Sequence, residues 1–200
     1  YNTAYLMKFI VGIDEVGRGP IAGPVTIGMC IAPIDFDFSH FAKIKDSKKL
    51  SEKKRNEWST KIHELKNKGM LSFAIASISA AEIDAKGISP CLKEAIKRGL
   101  ADIGANPAEV EIRLDGALRA PSVFLNQKTI IRGDEKEPII SAASIVAKVH
   151  RDKLMTDFAK TYPLYGFEKH KGYGTSEHFK AIRLYGISPI HRKTFLTKMH

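Results

Sequence analysis

Apolar and polar positions along the chain switch between two periods, and those periods lay out the elements. Residues 9–14, Phe-Ile-Val-Gly-Ile-Asp, form a short apolar, β-branched run that predicts a buried strand. A Gly/Pro-rich bend over 17–24 leads to a second such run at 25–32. Ser51, followed by Glu-Lys-Lys, starts a helix to about residue 68, with Trp58, Ile62 and Leu65 at helical spacing and Gly69 past its end. Alternation over 71–78 predicts a third strand, and Pro90, after Ser89, opens a helix over 90–103. Residues 110–115 and 129–132 read as strands four and five. Pro138 then opens a long helix to about residue 160. Its early positions Ser141, Ala142, Ala143 and Ser144 are small enough to let it pack closely on a sheet. Beyond residue 162 the texture turns to His- and Lys-rich loops with a short helix over 176–185.

Two consecutive strands followed by alternating helices and strands give an α/β fold class, a mixed five-stranded sheet flanked by helices. The expected organisation is a domain over 1–165, with 166–200 as a small helical and loop appendage packed on it.

Composition narrows the function. Lys+Arg number 32 against 22 Asp+Glu, a net charge of +10, with 44% hydrophobic and 27% charged residues. That balance excludes a disordered chain. No apolar run reaches the roughly 18 residues of a membrane span, and the first residues lack a secretory signal pattern. Cys30 and Cys91 are too few for a disulfide framework or a zinc site, so buried thiols in the cytoplasm are expected. The positive excess suits a polyanionic partner, nucleic acid above all.

Against that basic background the position of the acids matters. Asp14 and Glu15 end the first strand, Asp115 ends the fourth in Leu-Asp-Gly, and Asp134 follows the fifth in Arg-Gly-Asp. Strand ends in an α/β sheet meet at one edge, where ligands bind. Carboxylates crowded there repel one another unless a divalent cation lies between them. Oxygen donors without nearby Cys favour Mg²⁺ or Mn²⁺ over Zn²⁺. The alternative is that Asp14 and Asp134 cap helices or turns and that Asp115-Gly116 is a turn pair. Taken together, the residues indicate a metal-dependent nuclease or phosphotransferase, and a basic surface around an acidic metal-binding point is what two-metal phosphodiester cleavage requires.

The same residues sit in longer blocks. These are Gly12-Ile13-Asp14-Glu15-Val16-Gly17-Arg18-Gly19-Pro20, Asp46-Ser47-Lys48-Lys49-Leu50, Leu114-Asp115-Gly116 and Arg132-Gly133-Asp134. Ser141-Ala142-Ala143-Ser144-Ile145-Val146-Ala147-Lys148-Val149-His150-Arg151-Asp152, Tyr165-Gly166-Phe167, His170-Lys171-Gly172-Tyr173-Gly174 and His191-Arg192 follow. In content and order, over almost the whole chain, the series resembles ribonuclease HII, the type 2 ribonuclease H. The related ribonuclease HIII usually carries an extra N-terminal domain and another residue at the Arg of Gly-Arg-Gly, whereas this chain has Arg18. The resemblance implies a ribonuclease H-like fold and hydrolysis of the RNA strand of RNA/DNA hybrids. It also implies incision 5′ to single ribonucleotides in duplex DNA, leaving 3′-hydroxyl and 5′-phosphate ends, with a place in ribonucleotide excision repair.

Carried over by position, Asp14, Glu15, Asp115 and Asp134 are the implied catalytic and metal-binding residues, holding Mg²⁺ or Mn²⁺. Gly17, Arg18 and Gly19 form the implied ribonucleotide sensor, where backbone can approach a sugar edge and its 2′-hydroxyl. Tyr173, between glycines in a basic loop, either anchors the loop to the core or stacks on a sugar; the resemblance selects the second role, at the junction with the following deoxyribonucleotide. Lys48, Lys148, Arg151, Lys171 and Arg192 are candidate phosphate contacts. Glu135 and Glu137 read as solvated turn residues, and no His is assigned a catalytic role. The expected partners are RNA/DNA hybrid and ribonucleotide-containing duplex, with no membrane and no sliding-clamp signature, and the expected state is a monomer.

Overall fold

The computed structural model describes residues 7–41, 44 and 50–197. Its sheet has the order β3-β2-β1-β4-β5, built from β1 (Phe9–Val16), β2 (Val25–Pro33), β3 (Ser72–Ile78), β4 (Val110–Asp115) and β5 (Gln127–Ile130). β1, β2 and β3 form an antiparallel meander, whereas β4 and β5 run parallel to β1. The mixed sheet expected from the pattern is therefore present, and its parallel half sends the C-terminal ends of β1 and β4 to one edge.

The helices cover both faces. α1 (Glu52–Asn67) and α5 (Pro138–Thr161) lie on one, packing Ile62, Leu65, Ile139, Ile140, Ala143 and Val146 against Ile10 and Cys30. α3 (Ile88–Asp102) lies on the other, where Cys91, Leu92, Ala95 and Ile96 meet Val11, Ile13, Ile27 and Ile112. Both cysteines are buried free thiols.

The close approach of α5 depends on two glycines. A Cβ on Gly12 would lie 2.4 Å from the Ile139 carbonyl, and one on Gly28 2.3 Å from that of Ala143. Neither position can carry a side chain without displacing the helix. The start of α5 is thereby held over β1, two residues before Asp14.

Some boundaries differ from those read in the sequence. β5 begins two residues early, because the Gln127 amide bonds the backbone of Ala120, Pro121 and Phe124 and fixes the loop before it. α2 (Ala80–Lys86) was not anticipated, although Ser79 and Glu82 form a full capping box at its start. The long helix and α7 (Ser176–Tyr185) match their predicted extents closely. Short helical turns α4 (Gly133–Lys136), α6 (Phe167–His170) and α8 (Lys193–Leu196) complete the set.

A third apolar cluster joins Ile21 and Ala22 to Met155 of α5 and to Tyr165, Phe167, Ala181 and Ile182. It seats the C-terminal segment on both α5 and the loop that follows β1. Among the described residues, no helix is long and apolar enough to cross a membrane.

Candidate active site

Ile13 of β1 pairs in register with Leu114 of β4. Asp14 and Asp115, each one residue beyond that last β1–β4 pair, therefore lie side by side where the two strands part, Asp14 still paired with Gly28 of β2 and Asp115 with Ile130 of β5. Side chains alternate along a strand, so Asp14 shares the α5 face with Gly12. Asp14 is 1% exposed, and its Oδ1 accepts the Glu15 backbone N–H at 2.8 Å. Asp115 Oδ1 accepts the Gly133 N–H at 2.6 Å, which pins the next segment to the end of β4.

That segment turns a tight corner. Arg132 holds a left-handed conformation, φ 56°, a costly one for a residue with a Cβ. Gly133 follows, where a Cβ would meet Ile140 Cδ1 at 2.7 Å. The corner delivers Asp134, 2% exposed, beside Asp115. Ser141 Oγ donates to the Asp134 carbonyl at 2.6 Å and so fastens it to the first turn of α5. The positive N-terminal end of a long helix favours anions near it. Glu135 pairs with Arg132, and Glu137 with Arg113, as suits turn residues rather than site residues.

The four expected carboxylates thus come from three segments to one sheet edge. A donor set of carboxylate oxygens alone is chemically suited to Mg²⁺ or Mn²⁺. As they stand, no three His, Cys, Asp or Glu side chains among the described residues are placed to hold one ion. Asp115 is turned onto Gly133, and Glu15 lies 3.7 Å from Arg18. The residues fit such a centre by donor type and backbone placement, not as a preformed cage.

The loop after β1 adjoins this edge. Gly17 is buried at φ 84°, where a Cβ would collide with Arg151, while Arg18 and Gly19 are exposed. The Ile21 and Ala22 N–H groups both donate to the Gly172 carbonyl, at 3.0 and 3.2 Å. Tyr173, one residue on, is 45% exposed. The Gly-Arg-Gly loop and Tyr173 are therefore held on neighbouring stretches of backbone.

The basic candidates separate sharply. Lys171 is half-buried, with Nζ 3.1 Å from Thr156 Oγ1, and Lys148 pairs with Asp152 at 2.7 Å. Lys48 lies outside the described residues. Arg151 and Arg192, expected at phosphates, are both 0% exposed and so are corrected to interior positions. Arg151 donates to the carbonyls of Ala22, Pro24 and Lys171, and Arg192 to those of Gly17, Arg18 and Gly23. A guanidinium presents a rigid fork of donors, which suits it to gathering several carbonyls that no strand ladder satisfies. Burial pulls both below the ordinary arginine range, Arg192 to about 9.

His178 carried no signal in the sequence beyond its place in a short helix. It is fully buried between His170 and His191, its Nδ1 2.8 Å from the Tyr173 carbonyl. Burial pushes its pKa down to about 4 and lowers that of His191 as well. Only the packed structure reveals this cluster, because its members are spread from residue 170 to 191.

Known proteins resemble this chain in sequence and in fold. The family model described as Ribonuclease HII matches residues 11–200. The ribonuclease HII of Desulfitobacterium hafniense (strain DSM 10664 / DCB-2) is 46% identical over 186 residues, 93% of this chain and 68% of that protein. The Bacillus subtilis (strain 168) protein of the same name is 43% identical over 188 residues, 94% of this chain and 69% of its own length. Among solved structures, ribonuclease H2 from Pyrococcus horikoshii OT3 superimposes with a TM-score of 0.72 at 25% identity, covering 93% of each chain. The ribonuclease HII of Archaeoglobus fulgidus, solved in complex with PCNA, has a TM-score of 0.75 at 23% identity, covering 92% of this chain and 94% of that one. With the sheet order, the whole-chain family match and relatives of this identity in agreement, the chain belongs to the ribonuclease HII family of endoribonucleases.

Proposed function

We propose that this protein hydrolyses the RNA strand of RNA/DNA hybrids and incises duplex DNA 5′ to a single embedded ribonucleotide, leaving 3′-hydroxyl and 5′-phosphate ends. The observation that carries the reading is the junction of two loops beside the carboxylate edge. The Gly172 carbonyl accepts from Ile21 and Ala22, which sets Tyr173 next to the stretch that begins Gly17-Arg18-Gly19. An exposed aromatic ring beside exposed glycine backbone can contact both the face of a sugar and its 2′-hydroxyl.

Asp14, Glu15, Asp115 and Asp134 would hold Mg²⁺ or Mn²⁺. Such ions would supply activation of a water and stabilisation of the leaving oxygen of a phosphodiester. The chain's own residues do the rest. The β1 and β4 ends and the Gly133 corner keep the carboxylates at one edge. Arg18, exposed and within reach of Glu15, and Lys171 and Lys148 supply positive charge for the backbone of a duplex.

The test is a labelled DNA duplex with one central ribonucleotide, beside a continuous RNA/DNA hybrid and an all-DNA control, with and without Mg²⁺. Metal-dependent cleavage of the first two and not the third supports the reading. Cleavage of the all-DNA duplex would make the protein a DNA nuclease on the same fold. Metal-independent binding without turnover would make it a binding module.

A further inference from the structure

Residues 190–192 lie along residues 21–23 like a short extra strand. Ala22 and His191 form an antiparallel bridge. Gly23 N–H donates to the Ile190 carbonyl and Arg192 N–H to that of Ile21, both at 2.8 Å. The same 21–22 stretch is bonded on its other side to Gly172. Neighbouring side chains on extended backbone point to opposite sides, so His191 and Arg192 reach different targets.

Arg192 reaches the Gly-Arg-Gly loop. Its guanidinium donates to Gly17 at 2.6 Å, Arg18 at 3.1 Å and Gly23 at 2.9 Å, so all three acceptors are backbone carbonyls of one loop. His191 reaches Tyr173 through one intermediary, and the hydrogen bonds dictate where each proton sits. Ser188 N–H, a fixed donor, points at His191 Nδ1 at 2.8 Å, so that nitrogen carries no proton. A neutral His191 then bears its proton on Nε2, which faces His178 Nε2 at 3.0 Å. Only one proton fits between two nitrogens, so His178 accepts there and carries its own on Nδ1. That proton is donated to the Tyr173 carbonyl at 2.8 Å. His170 stacks on His178 at 4.1 Å, its Nδ1 accepting Gly172 N–H and its Nε2 facing the Tyr165 carbonyl.

We propose that His191 and Arg192 form a brace that sets the spacing between the Gly17-Arg18-Gly19 loop and Tyr173, making both positioning residues for selection of the ribonucleotide. The inference rests on the reading that these two elements contact the ribonucleotide. One dipeptide controls both, so neither can shift without the other being felt. A lysine at 192 keeps the charge but not the fork that spans three carbonyls.

Two measurements test it. The first is imidazole ¹⁵N and ¹³C NMR of the wild-type protein at pH 7.5. The expected result is neutral His178 protonated on Nδ1 and neutral His191 protonated on Nε2. The reverse tautomer or an imidazolium at either residue overturns the relay. The second is kinetics on the one-ribonucleotide duplex and on a continuous hybrid, at saturating metal, with folding checked by melting.

Arg192→Lys is expected to lower kcat about a hundredfold on both substrates, the scale of a 1 Å misplacement, with KM little changed. His191→Asn keeps an acceptor for Ser188 but cannot reach His178. It is expected to lose about tenfold on the one-ribonucleotide duplex alone, the lower end of the loss expected for Tyr173→Ala. Folded variants with wild-type kcat on the one-ribonucleotide duplex overturn the brace, and if neither variant folds, the tautomers decide. The proposal and the underlying reading fail differently. Full activity in Tyr173→Ala removes Tyr173 from recognition, while the NMR result and Arg192→Lys still judge the brace.

Discussion

The carboxylate edge and the C-terminal brace lie side by side and are built on opposite principles. At the edge, each acid sits within a few residues of the C-terminal end of a strand, and the sheet register sets Asp14 beside Asp115. Like charges are concentrated there, which costs stability unless cations offset them. In the brace, residues far apart in the chain converge, and cationic or imidazole groups are buried on backbone carbonyls. Charge at the edge is, on the function proposed above, chemistry to be used. Charge in the brace is structural, because a guanidinium is one of the few groups that can satisfy several stray carbonyls at once.

The contrast can be broken experimentally, starting with the edge. Asp14→Asn removes a charge and a ligand oxygen without changing shape. It is expected to cut turnover about a thousandfold, roughly 4 kcal/mol of transition-state stabilisation, while duplex binding persists. Its melting temperature without added metal is expected to equal or exceed that of wild type, since crowding is relieved. Activity above about a tenth of wild type would end the assignment.

The brace is best probed by acid. His178 ionises near 6.5 when unfolded and near 4 when folded. Between those values the unfolded state binds more protons, so stability rises with pH through the window. The contribution is complete above about pH 6.5 and is lost as pH falls toward 4. At 1.36 kcal/mol per pH unit it amounts to about 3 kcal/mol. Urea unfolding at pH 7 and pH 4.5, with the His178 ring followed by NMR, checks it. A ring that titrates near pH 6.5 in the folded protein would contradict its burial as a neutral group.

Tyr173 lies where the two regions meet. Tyr173→Ala is expected to lose ten- to hundredfold in incision at a single ribonucleotide, from stacking worth about 1–3 kcal/mol. Tyr173→Phe keeps the ring and is expected to lose less. Incision equal to wild type in the alanine variant would make the residue a loop anchor. The smallest effect belongs to Lys171. If its ammonium leaves Thr156 for a phosphate, Lys171→Ala makes the slope of log K against log[salt] shallower by about one unit. An unchanged slope would place Lys171 with the solvated lysines.

Most of the scaffold is legible in the sequence. Short β-branched runs and Pro138 marked β1, β2, β4 and α5 because local periodicity reflects burial directly. The shifted start of β5 was not legible, because Gln127 acts through bonds to a loop seven residues away. α2 was legible in principle from the Ser79 and Glu82 pair. The four carboxylates could be singled out because strand ends are local features, and parallel strands bring such ends together.

For Arg151 and Arg192 the sequence was misleading. A cation in a basic, loop-rich stretch reads as solvent-facing, and only packing against carbonyls 20 to 175 residues away turned both inward. The sequence by itself determined the strands, the long helix, the acids at the strand ends and the family they resemble, all properties of neighbours along the chain. The tertiary structure alone decided which cations face solvent, which histidines share a proton, and how the Gly17-Arg18-Gly19 loop is held against Tyr173. Those outcomes depend on where backbone carbonyls are left without strand partners, and that is settled only when distant segments pack.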